Sequence, residues 1–388
     1  MVRQLLIASL LWLVCCGCGS DLIASQAGER LFLPLSLDFL GEYQLPKQTL
    51  ADMPVGGLSG LTYDRNRDRF YAISDDRKNP RFYTLKLEID PDSPPARLQA
   101  VTVEAVTLLK DAQGNPYPPH TVDGEGIAFT PRETLFVASE GDNRRQILPF
   151  IGEFEPATGN LRDYLPLPQR FLPEGNKPTQ GIQNNLGFEA LAVAATSTLK
   201  DDPFRLFTAV ENSLIQDRHP EKVSKNPPLR FLHYVINAIG EPVLVGENLY
   251  VLDPMPAGTV SQGLSDIATL DREGYFISLE RDFGLGGFGA KLFQVINANA
   301  TDTSQVSSFQ DGTTGLIPLK KQLLLDLSTL KIDLDNLEGL AFGPHLADGS
   351  PTLLLVSDDN FREEQITQFL LFRVNRHSVR ATNLGEPV

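Results

Sequence analysis

Acidic residues recur in this 388-residue chain at the edges of short apolar runs, and five stretches share the pattern. Residues 336–360 show it most fully: Glu338 precedes Leu340-Ala341-Phe342, a Gly/Pro-rich turn follows, and Leu353 to Val356 run into Ser357-Asp358-Asp359. Two apolar runs joined by such a turn predict a β-hairpin, whose antiparallel strands bring the start of one beside the end of the other. Glu338, Asp358 and Asp359 are therefore expected at one end of the hairpin. The same two-part pattern appears at 57–63 with 69–76, 123–129 with 134–140, 187–193 with 205–212, and 263–269 with 274–280.

If the copies are arranged around one axis, their acidic ends converge. Ser59, Glu125, Glu189, Asp266 and Glu338 are expected to ring a channel mouth. Asp75, Asp76, Glu140, Asp142, Glu211, Glu280, Asp358 and Asp359 are expected just outside that ring. Two like charges 4 Å apart repel by about 4 kcal/mol at an effective dielectric near 20. Such a cluster calls for raised pKa values, nearby cations or a metal ion. Oxygen-only donors suit Ca²⁺ first and Mg²⁺ second. The expected metal ligands are Glu125, Glu189, Asp266, Glu338, Asp75, Glu140, Glu211, Glu280 and Asp358, and His120 is read as a solvated loop residue ahead of a ligand. Arginines follow the acids in the copies, and forked guanidinium groups suit phosphate or carboxylate. Arg77, Arg144 and Arg281 are the expected substrate-binding residues, with Glu125 as general base. The competing structural reading is that Ser-Asp-Asp and Gly-Asp-Asn are favoured turn sequences, with the acids paired to the arginines.

The elements that must position these residues are β-strands. Each hairpin is followed by one or two further apolar runs, among them 82–89 and 100–108 after the first copy and 229–236 and 242–252 after the third. The fifth copy has a third strand, 367–374, and no evident fourth. A lone strand at 31–45 can supply it, closing the ring and removing the exposed sheet edges. The sequence thus predicts an all-β propeller over 31–388, with five four-stranded blades and room for a sixth in the long insertions. A β-sandwich is the weaker alternative, because it gives no reason for the repeats. The run 284–289, rich in glycine, reads as a hairpin loop and not a phosphate loop, since it opens no helix.

The formal net charge of −15 argues against a nucleic-acid partner and is compatible with bound cations. Arg3 followed by the apolar run 5–14 reads as an export signal, too short to span a bilayer. The three cysteines, Cys15, Cys16 and Cys18, all fall just after it, which leaves no cysteine for a disulfide or metal site in the mature domain. Gly17-Cys18 is similar to the end of a bacterial lipobox, with Cys18 the lipidated residue; cleavage near Ala27 is the alternative. Residues 1–27 are accordingly set apart as signal and linker. The expectation is an exported, cell-envelope monomer that meets the membrane only through a lipid anchor.

The repeated Gly-Leu-Ser-Gly-Leu, Gly-Glu-Gly-Ile-Ala, Phe-Glu-Ala-Leu-Ala and Leu-Glu-Gly-Leu-Ala strands resemble the phytase-like family, also described by an esterase-like activity of phytase. Asp123-Gly-Glu-Gly126 and Asn336-Leu-Glu-Gly339 are the most specific pieces. The resemblance covers 56 to the C-terminus and implies a propeller, export and phosphoester or ester hydrolysis. Three readings follow: a Ca²⁺-dependent hydrolase of small phosphorylated substrates, a non-catalytic binding propeller of the cell envelope, and a Ca²⁺-dependent lactonase or carboxylic-ester hydrolase.

Overall fold

The computed structural model describes residues 31–90, 97–175, 178–197, 199–219, 221 and 224–377. The expected cleavage and lipidation sites, Ala27 and Cys18, lie outside them. Its main unit, Leu37–Asn375, is a five-bladed β-propeller. Among the described residues the only further sheet is a two-stranded ribbon, Gln48–Leu50 with Met53–Val55, so there is no sixth blade and no sandwich.

Blade 1 comprises Leu58–Asp64, Arg69–Ser74, Arg81–Asp90 and Arg97–Leu108. Blade 2 comprises Gly124–Phe129, Leu135–Ser139, Phe150–Phe154 and Leu161–Tyr164. Blade 3 comprises Phe188–Ala195, Phe204–Val210, Pro228–Ile236 and Val243–Val251. Blade 4 comprises Thr259–Thr269, Tyr275–Gly284, Gly287–Ile296 and Lys320–Asp326. Blade 5 takes Asn336–Phe342, Thr352–Asp358 and Thr367–Arg376 from the end of the chain and Leu35–Leu45 from its start. The ring is therefore closed by the N-terminal strand, as the missing fourth strand of the last copy implies. Inner strands touch in cyclic order from blade 1 to blade 5 and back to blade 1.

Second strands are almost wholly buried, as in Thr352–Asp358, which is why they read as continuous apolar runs without alternation. Aromatic side chains fill the wedge between blades. Phe207 and Phe231 of blade 3 meet Phe276 of blade 4 edge-on, with centroids 4.8 and 5.2 Å apart. Such pairs each add about 0.5–1.5 kcal/mol beyond the area they bury.

The long insertions pack on blade 3 as latches. Arg230 is fully buried and donates Nε and an Nη to the two carboxylate oxygens of Asp217 at 2.7 and 2.8 Å, while the Phe309 ring covers its guanidinium at 4.2 Å. Pairing both charges this way offsets the desolvation that an isolated buried guanidinium would suffer. The chain ends form a second small unit, in which Ser36 Oγ lies 2.8 Å from His377 Nε2.

Candidate functional site: an acidic hub with one cationic blade

Each inner strand carries a β-bulge at the equivalent place. The register against the second strand slips between Leu58 and Gly60, Gly124 and Ile127, Phe188 and Ala190, Leu264 and Asp266, and Leu337 and Gly339. The extra residue of a bulge is unpaired and re-aimed. Here those residues are Ser59, Glu125 (with Gly126), Glu189, Ser265 and Glu338. The fourth position of the ring is thus Ser265, one residue before the expected Asp266.

A second ring follows from pairing across each hairpin. Asp75, Glu140 and Glu211 donate their backbone N–H to Gly57, Asp123 and Gly187 at 2.9, 3.1 and 2.7 Å, directly before the bulges. In blade 5 the equivalent residue is Asp358, opposite Asn336. In blade 4 it is Arg281, opposite Gly263. Four acids and one guanidinium make this ring.

Four expected residues stand elsewhere. Asp266 is buried at the neck of the hub, where the other blades have Gly60, Gly126, Ala190 and Gly339. The packing there is tight: a Cβ on Gly126 would come within 2.2 Å of the Glu189 carbonyl oxygen. Asp266 reaches across to accept backbone N–H bonds from Leu191 (3.4 Å), Ile267 (2.8 Å) and Leu340 (2.8 Å), tying blades 3, 4 and 5 together. Burial pushes its pKa up, and those three N–H groups pull it back in part. Glu280 accepts from Tyr250 Oη at 2.6 Å and from the Asp253 N–H at 2.9 Å, and pairs with Lys321. It faces away from the mouth. Arg144 is exposed in a turn whose N–H groups bond to Asp142, and it does not reach the mouth either. Asp359 is likewise structural, accepting from Gly57 N–H at 2.9 Å and pairing with Lys47.

Asp142 caps the turn that carries Arg144 and does not line the mouth, but most of the other expected residues meet. A cavity of about 840 Å³ at the mouth is lined by Asp75, Glu125, Glu189, Glu338 and Asp358 together with Arg77 and Arg281. His120 also lines it, with its backbone N–H donated to the Arg77 carbonyl oxygen. Behind this lining, oxygens of Asp123, Glu125 and Glu140 lie within 4.8 Å of one another, as do those of Glu140, Glu189 and Glu211. Glu140 belongs to both triads. Eight carboxylates therefore crowd the hub: Asp75, Asp123, Glu125, Glu140, Glu189, Glu211, Glu338 and Asp358. Burial first, and then their mutual repulsion, push Asp75, Glu125, Glu140 and Asp358 well above the usual carboxylate range. Burial lifts Asp123 to about 6 and Glu338 to about 7 even though each has an arginine beside it.

Those arginines are Arg77, whose Nε reaches Asp123 at 2.6 Å, and Arg281, whose Nη lies 3.1 Å from both Glu211 and Glu338. Burial works against the Arg281 charge, but Glu211, Glu338 and Glu189 outweigh it and raise its pKa. Its Nε is buried and has no hydrogen-bond partner. Asp75 Oδ1, Asp123 Oδ2 and Asn336 Oδ1 are also buried without a donor. Asp123 faces Glu125, and Glu211 faces Glu189, closely enough to share a proton. Two carboxylates can stay in such contact only through a proton or a cation. The oxygen-only donors fit a hard divalent cation at either triad, and the unfilled Asp123 oxygen belongs to the first of them.

Asn336, Asn185, Phe283, Phe288 and Phe361 also line the cavity and carry no signal in the acid-plus-arginine pattern. The bulge offset in blade 4 was available in principle, since Gly263-Leu264-Ser265 aligns with Gly187-Phe188-Glu189.

The phytase-like family profile, described as "Esterase-like activity of phytase", matches residues 53–361. The chain belongs to this phytase-like family. No curated protein matches the sequence. Among solved structures the phytase-like chain is similar to the endo-arabinase of Bacteroides thetaiotaomicron, at 12% identity and TM-score 0.41, over 87% of this chain and 98% of that one. It is also similar to the catalytic domain of the GH62 α-L-arabinofuranosidase of Coprinopsis cinerea, at 9% identity and TM-score 0.40, over 88% and 97%. The N-terminal domain of Nup159 aligns over 89% and 97%, at 11% identity and TM-score 0.34. Likenesses this distant carry no chemistry across.

Proposed function

We propose that this phytase-like propeller hydrolyses phosphate esters, using a Ca²⁺-loaded hub and the Arg281 guanidinium. The observation that carries the reading is Arg281: a guanidinium in an otherwise acidic ring, at the cavity wall, with Nε unengaged. A phosphoryl oxygen suits this guanidinium, because charge-assisted N–H···O bonds are short and strong. Asp123, Glu125 and Glu140 would hold one Ca²⁺, and Glu189 and Glu211 with Glu140 a second. The bound ion would offset carboxylate repulsion, polarise the phosphoryl group and lower the pKa of a nearby water.

Glu125 belongs to a triad, so the role of base passes to Glu338. Glu338 lines the cavity, lies outside both triads, and is oriented by Asn336 Nδ2 at 2.7 Å and by Arg281. In this reading Glu338 takes a proton from the attacking water and Arg281 holds the phosphoryl oxygens, with Arg77 extending the cationic wall. The export signal and Cys18 anchor would place the monomer in the cell envelope.

The test is turnover of phytate, phosphate diesters and carboxylic esters by purified protein, with and without Ca²⁺. Phosphate release that stops on chelation and in Glu338→Gln is expected. No turnover of any substrate, despite a Ca²⁺-dependent rise in melting temperature, would leave a binding propeller instead. Turnover of carboxylic esters alone would favour the lactonase or esterase reading.

A further inference from the structure

Blade 4 differs from the other four in its second hairpin as well as in its ring residue. Elsewhere the second strand stops at or just before the ring, at Ser74, Ser139, Val210 and Asp358. In blade 4 it continues past Arg281 to Gly284, turns through Leu285-Gly286 and returns from Gly287. Side chains two apart on a strand share a face, at a rise of about 3.4 Å per residue. Phe283 therefore stands on the same face as Arg281, about 7 Å further out. Phe288 pairs with Phe283 across the hairpin, with ring centroids 4.7 Å apart, and both rings line the cavity. Phe283 is 39% exposed although it is a large apolar side chain at a polar mouth.

A third ring, Phe361, lines the same cavity from the turn after the second strand of blade 5, with the Arg81 guanidinium 5.7 Å from its centroid. Asn360 and Phe361 have φ values of 46° and 52°, a left-handed conformation that is uncommon for a bulky side chain. Two carboxylates hold the turn: Asp358 accepts from Asn360 N–H at 2.7 Å, and Asp359 from Phe361 N–H at 3.1 Å. Gly57 leaves the room for the ring, since a Cβ there would lie 2.5 Å from Phe361 Cε2. The turn thus delivers an apolar ring to the cavity wall, at a backbone conformation that its surroundings maintain.

We propose that Phe283, Phe288 and Phe361 form an aromatic subsite beside Arg281, so that the substrate is an ester of an aromatic or similarly apolar alcohol. This rests on the reading of the mouth as an ester-hydrolysing site and adds the substrate class. A ligand with one anionic group at Arg281 and a flat apolar body outward matches both the guanidinium and the rings. A polyanion bristling with charge would leave the rings unused. Aromatic contacts in a half-open site supply affinity by removing apolar area from water and by ring packing.

The test uses full-length protein in Ca²⁺ and three probes that cannot be hydrolysed: 1-naphthylphosphonate, methylphosphonate and 2-naphthol, measured by calorimetry. The naphthylphosphonate is expected to bind at least about tenfold tighter than the methylphosphonate. Phe283→Ala and Phe361→Ala should each erode that preference several-fold while methylphosphonate affinity and melting temperature stay unchanged. Phe283→Tyr should retain it. Equal affinity for the two phosphonates with no naphthol binding would overturn the subsite, as would a naphthyl preference untouched in both alanine variants. Naphthol binding that depends on Phe283, without phosphonate binding, would keep the aromatic subsite and sink the phosphate reading alone.

Discussion

Blades 2 and 3 and blade 4 are built on the same hairpin, with the same bulge, yet where the first two place two acids the last places a neutral serine and a guanidinium. Blades 2 and 3 contribute Glu125 and Glu140, and Glu189 and Glu211, which form the core of both triads. Blade 4 contributes Ser265 and Arg281, and then extends Phe283 over the mouth. The comparison teaches that a repeat architecture can break its own symmetry at one copy, so that a cluster of repelling acids acquires a counter-ion and a direction. A ring of five acids would bind only cations. The exchange at blade 4 gives the mouth a side suited to an anion.

The largest expected effect comes from erasing that exchange. Arg281→Glu should lower kcat/KM by about a hundredfold or more, and Arg281→Met should destabilise the protein by about 3–5 kcal/mol in denaturant melts, because Glu211 and Glu338 lose their shared partner. Unchanged kinetics in both variants would remove the contrast between the blades.

Calcium removal comes next, and its sign depends on pH. The hub carboxylates hold protons more tightly folded than unfolded: Asp123 is lifted to about 6 and Glu338 to about 7, both primarily by burial. Raised folded values stabilise the chelated protein most at about pH 3 and below, where these groups are protonated in both states. That contribution is lost as pH climbs through 6 and 7. Melting temperature of the chelated protein should fall by on the order of 5 °C between pH 4.5 and 7.5, and Ca²⁺ should restore it at the upper end. A flat profile would show that the acids are neutralised in some other way.

Glu140→Gln is expected to weaken Ca²⁺ binding by about tenfold, since one side chain serves both triads. Calorimetric titration against wild type checks this, and a loss confined to one of two binding steps would mean that Glu140 is not shared. Asp266→Ala should cost about 1–3 kcal/mol by stranding buried N–H groups, while KM stays constant. Smallest of all, Arg144→Ala should leave kinetics within about twofold, as expected of an exposed turn residue.

The five blades could be read from the sequence because each hairpin keeps its apolar core and its turn. The closing strand could be read because the last copy lacks one. Blade 4 was where reading by residue type went astray. Asp266 sits one residue after the ring position and Glu280 one before it, so seeking the nearest acid selects both wrongly. Strand pairing settles the matter, because the bulge fixes which residue is left over. Arg144 failed for a related reason: following an acid in sequence does not fix the direction of a turn, and the Asp142 carboxylate folds this one outward. The aromatic wall was invisible for want of any repeat, since Phe283 and Phe361 occupy positions that the other copies do not share.

The strand Leu35–Leu45 lies beside Thr367–Arg376, although more than 300 residues separate them along the chain. Joining segments that far apart carries a large loop entropy and comes late in assembly. Until that clasp shuts, blade 1 and blade 5 meet only through their inner strands and the bonds of Asp359 to Gly57 and Lys47, and the ring around the mouth is not locked. Competence to bind would then be acquired in one step at the end of folding. A chain cut short before Thr367 should show no partial activity at all.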